Sequence, residues 1–211
     1  MTTTAPVRHL LLDADGVIQD LPGGWFAAME VYAGERAREL LHEAWAVERP
    51  MLTGKGGDYL PLLATTMARY GVTTPVEEVY AAIWHRMDVV ESSMELVAAL
   101  RAQGYGVHLA TNQERRRAEH MRTVLGYDQL FDVCCYSCEL GFAKPDPAFF
   151  HEAVRRIGAD SSSILFVDDS EANVAGAREA GLRAEHWHFE HGHDQLLAIL
   201  ARHGVPAPTG P

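Results

Sequence analysis

From Ser92 to Gly204, short apolar runs alternate with segments of helical spacing, and this rhythm constrains the fold more than any other feature of the chain. SSMELVAALRAQG reads as a helix closed by Gly104, YGVHLAT as a strand, QERRRAEHMRTVLG as a helix and FDVCCYS as a strand. PAFFHEAVRRIG, again closed by glycine, is followed by the strand SILFVDD, the helix EANVAGAREAG, the strand LRAEHWH and the helix DQLLAILARHG. A glycine just past the last periodic residue stops a helix because it adopts a left-handed conformation without strain. Repeated strand–helix units predict an α/β fold: a Rossmann-like parallel sheet with helices on both faces.

One more strand belongs to that sheet but lies far from it in sequence. Val7 to Leu12 ends in three leucines, the uniform apolar run of a strand buried on both faces. Between it and Ser92, WFAAMEVYAGERARELLHEAWAVE, DYLPLLATTMARYGV and VEEVYAAIWHRM carry helical spacing, with breaks at Arg49-Pro50, Gly54–Gly57 and Gly71–Pro75 and no recognisable strand. The expected organisation is a core of residues 1–20 and 92–211 with an inserted α-helical cap over 21–91, and a loose tail, GVPAPTGP, over 204–211.

Open α/β sheets bind ligands at the carboxyl ends of their strands, so the residues just after each strand are the informative ones. The first strand runs into Asp13 and Asp15, then Gly16; the second into Thr111 and Asn112; the third is followed by CELGFAKPDP and delivers Lys144; the fourth ends in Asp168 and Asp169. Each alone has a dull explanation as a helix cap, a turn or a solvated lysine. Brought to one sheet edge, they are untenable without a counter-ion: even at an effective dielectric near 20, two carboxylates about 4 Å apart repel by about 4 kcal/mol. An all-oxygen donor set calls for magnesium, and a magnesium beside a lysine and a hydroxyl makes a phosphate site.

The order of these motifs resembles the haloacid dehalogenase superfamily over nearly the whole chain. LLLDADGV matches its first motif, GVHLAT its second, AKPDP its third and ILFVDDSEAN its fourth. The helical insertion resembles the family's cap of the first type, and ELGFAKPDPAFFHEAV resembles sugar-phosphate phosphatases and the N-terminal phosphatase domain of epoxide hydrolases. The resemblance implies a magnesium-dependent phosphatase with Asp13 as nucleophile, forming an aspartyl-phosphate, and Asp15 as general acid and then base. It implies that Thr111, Lys144 and the amide of Asn112 hold the phosphoryl group. It further implies that Asp13, the Asp15 carbonyl and Asp169 ligate magnesium, with Asp168 direct or one step removed and Asn173 a lesser candidate.

Alternatives within the fold are a 2-haloacid dehalogenase, whose branch usually lacks the second aspartate of the first motif, and a phosphomutase, which typically carries Thr and His where this chain has Leu21 and Trp25. A non-catalytic binding protein is the third. A net charge of −11 from 18 basic and 29 acidic residues argues against nucleic-acid binding and leaves a small phosphorylated molecule as the expected partner. No apolar run is long enough to span a membrane, so cytoplasmic location is the default expectation, as a monomer or a homodimer. Cys134, Cys135 and Cys138, odd in number and crowded, read as structural thiols. AEHWHFEHGHD, with His186, His188, His191 and His193, reads as adventitious metal affinity more than a built site, and TGKGGDY lacks the order of a P-loop. Substrate selection is expected from the cap and the turn before it, among Gly23, Gly24, Trp25, Lys55 and Tyr59, with Trp25 read as cap core.

Overall fold

The computed structural model describes residues 5–206. A five-stranded parallel sheet is formed by β1 (His9–Leu12), β4 (Gly106–Thr111), β5 (Cys134–Tyr136), β6 (Ile164–Asp168) and β7 (Arg183–His186), in the order β5-β4-β1-β6-β7. β1 lies at the centre, which explains its uniform leucines. Leu10 and Leu12 pack with Val107, Leu109, Leu165 and Val167 on one face, and Leu11 with Ala110 and Phe166 on the other. Each leucine so buried stabilises the fold by about 1.5–3 kcal/mol.

The register sets the site. Leu12 stands opposite Leu109 and Val167, so Asp13, Thr111 and Asp168 all emerge at the same carboxyl edge. Around the sheet lie α5 (Glu91–Ala102), α6 (Arg115–Thr123), α7 (Tyr127–Leu130), α8 (Ser137–Leu140), α9 (Pro147–Ile157), α10 (Glu171–Glu179) and α11 (His193–Arg202). Their caps follow local rules. The Asp146 side chain accepts the Ala148 amide with Pro147 in the first turn, and the Glu114 side chain accepts the amides of Arg116 and Arg117.

Between β1 and α5, four helices, α1 (Gly24–Ala33), α2 (Ala37–Leu52), α3 (Tyr59–Arg69) and α4 (Val76–Ile83), bury their own cluster, with Met29, Leu41, Tyr59, Leu63 and Trp84 at its centre. A two-stranded antiparallel ribbon, β2 (Gln19–Asp20) and β3 (Asp88–Val89), stands where the chain enters and leaves this unit.

Four expectations need correction. Asp88–Val89 is a strand inside a block read as helical throughout, because two residues are too few to show a period. The first long helical run is broken at Gly34, whose φ of 54° leaves the helical region. Helix α2, by contrast, continues through Pro50 to Leu52, since a proline in the last turn removes one hydrogen bond without stopping the chain. The tail is packed at its start, with Val205 fully buried, and 207–211 lie outside the described residues.

Candidate active site

Lys144 is the centre of the site. Its side chain is almost wholly buried, and Nζ lies 2.7 Å from Asp13 Oδ1 and 2.6 Å from Asp168 Oδ2 while donating to the Ala110 carbonyl at 2.8 Å. Burial works against its charge, but Asp13 and Asp168 outweigh this and hold the ammonium above its ordinary value. Asn112 fixes the lysine's backbone from both sides: its Nδ2 donates to the Lys144 carbonyl and its Oδ1 accepts the Lys144 amide. The Asn112 side chain is thereby committed to positioning the lysine.

Asp13, Asp168 and Asp169 bring carboxylate oxygens within 4.8 Å of one another. Asp168 is saturated by its neighbours, with Oδ2 on Lys144 and Oδ1 accepting from the Ser170 amide and from Asn173 Nδ2. Asp13 is pushed well above the usual carboxylate range, first by burial and then by the Asp168 charge, with Lys144 offsetting only part. Asp169, more open, is raised by burial and by Asp168. Three acids sharing one ammonium leave an excess of negative charge, and these shifts express its demand for another cation. The donors are all oxygens, so the set fits a hard divalent ion such as magnesium. Gly16 turns the chain away at φ 77°; a Cβ there would come 2.7 Å from Asp169 Oδ2 and 2.9 Å from the His188 ring.

Asp15 is organised differently. Arg117 holds it in a two-pronged ion pair, Nη1 to Oδ2 and Nη2 to Oδ1, both 2.8 Å, while Gln19 Nε2 donates to Oδ1 and Gln113 Nε2 to Oδ2. Burial alone would raise this carboxyl; Arg117, with Gln19 and Gln113, outweighs it and holds Asp15 below the usual range. Gln113 also donates to Thr111 Oγ1 at 2.9 Å, linking the hydroxyl at the end of β4 to Asp15. The remaining guanidinium protons of Arg117 reach the Trp84 carbonyl, Gln113 Oε1 and Met87 Sδ, so one side chain ties the core to the helical unit above it.

Above Asp15 lies a cavity of about 220 Å³ lined by Trp25, Trp45, Glu48, Trp84, Asn112, Gln113 and Arg117 among others. Of the sequence candidates for substrate contact, Trp25 lines it, with the Arg117 guanidinium 5.0 Å from its ring centre, so it serves the cavity as well as the packing. Tyr59 is buried in the helical unit with its hydroxyl on the Ala44 carbonyl, and neither Lys55, Gly23 nor Gly24 lines the cavity.

Sequence reasoning missed Arg117, Gln113 and Glu48. The signal was present: Arg117 shares a helix face with buried Ala118 and Met121, and Glu48 sits on the apolar stripe of α2 between Ala44 and Met51. The four histidines from the end of β7 onward, His186, His188, His191 and His193, do not gather into a metal-ligand cluster among the described residues. The three thiols are unpaired, and burial pushes Cys135 up to about 12 and Cys138 up to about 11, in keeping with structural thiols. No described helix is long and apolar enough to cross a membrane.

A family model of haloacid dehalogenase-like hydrolases matches residues 7–181, which include every strand end described above except that of β7. The chain belongs to the haloacid dehalogenase-like hydrolases. This hydrolase is 26% identical to a plasmid-encoded phosphoglycolate phosphatase of Cupriavidus necator over all of its own length and 87% of the relative's. Its fold is similar to that of a family enzyme from Bacteroides thetaiotaomicron solved with magnesium and inorganic phosphate (20% identity, TM-score 0.69, covering 85% of this chain and 93% of that one). It is also similar to L-2-haloacid dehalogenase from Xanthobacter autotrophicus (17% identity, TM-score 0.66, 96% and 85%). Likeness at that level establishes the fold alone, so the chemistry must be argued from the side chains.

Proposed function

We propose that this hydrolase is a magnesium-dependent phosphatase that acts on a small phosphomonoester through an aspartyl-phosphate on Asp13. The observation that carries the reading is the cluster of Asp13, Asp168 and Asp169 around the one ammonium of Lys144. Displacement at a haloacid carbon needs no such excess of acid, whereas a phosphoryl group needs cations on both sides of its oxygens. Asp15, present and elaborately held, further favours phosphoryl transfer over dehalogenation.

In this reading Asp13 and Asp169, with the main-chain carbonyl of Asp15, would hold magnesium, and Asp168 would act mainly by fixing Lys144. The ion, when bound, would neutralise charge on the phosphoryl oxygens. Asp13 Oδ attacks phosphorus as the P–O bond to the ester oxygen breaks, and Asp15, ionised against Arg117 in the free site, takes up the proton of a monoanionic phosphoester and passes it to the leaving oxygen. In the second half-reaction Asp15, in the ionised form that its pair with Arg117 represents, takes a proton from the water that releases phosphate. Lys144 and Thr111 would bind the phosphoryl oxygens with the main-chain amide of Asn112. The helices between residues 21 and 91 would act as a cap over the core of 1–20 and 92–206, hinged at the β2–β3 ribbon and excluding bulk water during transfer.

Release of p-nitrophenol from p-nitrophenyl phosphate tests the reading. Turnover should require magnesium, stop with a chelator and be absent in Asp13→Asn. Equal turnover in that variant would overturn the nucleophile assignment.

A further inference from the structure

The cavity over Asp15 holds a buried carboxyl that the proposed chemistry does not use. Glu48, on α2, is only 8% exposed and lines the cavity together with three of the chain's four tryptophans. The other charged and amide side chains there are engaged with one another or with Lys144. All five N–H donors of Arg117 are taken, two of them by Asp15. Asp15 receives four hydrogen bonds. Gln113 uses both its donors and its acceptor, and the Asn112 side chain is on Lys144. Glu48 makes no ion pair among the described residues, although the Arg117 guanidinium, committed to Asp15, lines the same cavity. Burial accordingly pushes its carboxyl up to about 8, further than the Arg117 charge and the Trp84 indole can pull it back.

A buried carboxyl with no ion-pair partner, set among indoles, is complementary to an organic cation, which satisfies it by charge and sets its carbons against the apolar lining. Resting on the phosphatase reading above, we propose that the ester group this enzyme accepts is a small alcohol bearing a protonated or quaternised amine, with the cation held by Glu48 among Trp25, Trp45 and Trp84. The cavity, about 220 Å³, has room for a few carbons and one nitrogen beside Glu48. A carboxylate-bearing ester such as 2-phosphoglycolate would set its acid against Glu48.

Two measurements on the full chain decide this. The first compares kcat/KM for phosphocholine with that for 3,3-dimethylbutyl phosphate, which has the same shape and no positive charge. The wild type should favour phosphocholine by about tenfold or more, equivalent to ~1.4 kcal/mol, and Glu48→Gln should bring the ratio close to one. A ratio near one in the wild type, or one unchanged in the variant, overturns the proposal. The second measurement needs no turnover: choline should quench tryptophan fluorescence more strongly than 3,3-dimethylbutanol in the wild type and lose that advantage in Glu48→Gln. Absence of all phosphatase activity with the choline effect intact would sink the phosphatase reading and sustain the cation site. Active phosphatase with no charge preference in either assay would do the reverse.

Discussion

Lys144 and Glu48 are opposite cases of a buried charge, one over-supplied with partners and one without a cation. Replacing Lys144 by Met leaves Asp13 and Asp168 facing each other in the interior without the ammonium between them. Removing one member of such a buried set costs about 3–5 kcal/mol, so Lys144→Met should lower the denaturant midpoint sharply and abolish turnover. Added magnesium should restore part of the stability and none of the activity; an unchanged midpoint would contradict the role given to the lysine. Glu48 predicts the opposite sign. Its carboxyl is held up at about 8 in the folded chain against an ordinary value of 4.5, so the stability linked to its proton is complete below pH 4.5 and is lost as pH rises through 8. Glu48→Gln, which keeps the shape and cannot ionise, should be more stable than the wild type at pH 9 by roughly 3–5 kcal/mol and nearly equal to it at pH 4.5. Urea titrations at the two pH values test this.

At the scale of elements, the sheet was readable because each strand is a short apolar run that ends in polar residues, and the depth of burial of β1, β4 and β6 leaves such runs no other use. Asp13, Thr111, Lys144 and Asp168 followed from that topology, since a parallel sheet carries the ends of all its strands to one edge. What escaped were residues whose role depends on what packs above them. QERRRAEHMRT reads as a basic helix, and only the helical unit over α6 decides that Arg117 turns inward while Arg116 meets Asp58 at the surface. The same limit applies to β4, where GVHLAT hides a histidine in an otherwise apolar strand. His108 is 3% exposed, with Nε2 3.1 Å from His9 Nδ1 and Nδ1 without a partner. Burial, with the His9 charge adding to it, lowers its pKa to about 4. The unfolded chain binds this proton near pH 6.5 and the folded one only near 4, so stability is full above 6.5 and falls as pH drops between the two values. The loss amounts to about 3 kcal/mol. Urea midpoints at pH 7 and pH 4.5 should therefore converge in His108→Leu relative to the wild type; parallel acid sensitivity in both would show that other groups carry the effect.

Over the whole molecule there are three hydrophobic clusters, one on each face of the sheet, with Leu10 and Leu12 in one and Leu11 in the other, and a third in the helical unit around Leu41, Tyr59 and Trp84; polar pins join this third cluster to the core. Across the joint, Arg117 reaches both Asp15 and the Trp84 carbonyl, the Tyr80 hydroxyl donates to Glu114, and Arg116 pairs with Asp58. Opening the two units would break these bonds, at about 1 kcal/mol net for an ordinary hydrogen bond and about 1.5–3 for a charged one. In the phosphatase reading proposed above, such a joint would open for substrate and close for transfer. The pins are unequal. Arg116 and Asp58 are both about half exposed, at 49% and 42%, so their pair contributes little, about 0–1 kcal/mol. Arg117 is buried at 5% exposure and serves both units at once. Arg117→Ala should therefore accelerate amide exchange throughout α1–α4 while leaving β1 and β6 protected, and should lower kcat/KM by about 10²-fold or more because Asp15 loses its orientation. Arg116→Ala should change neither by more than about threefold, the scale of a surface pair. Equal exchange behaviour in the two variants would mean that the units are held by their apolar contacts, and that Arg117 serves the carboxylate alone.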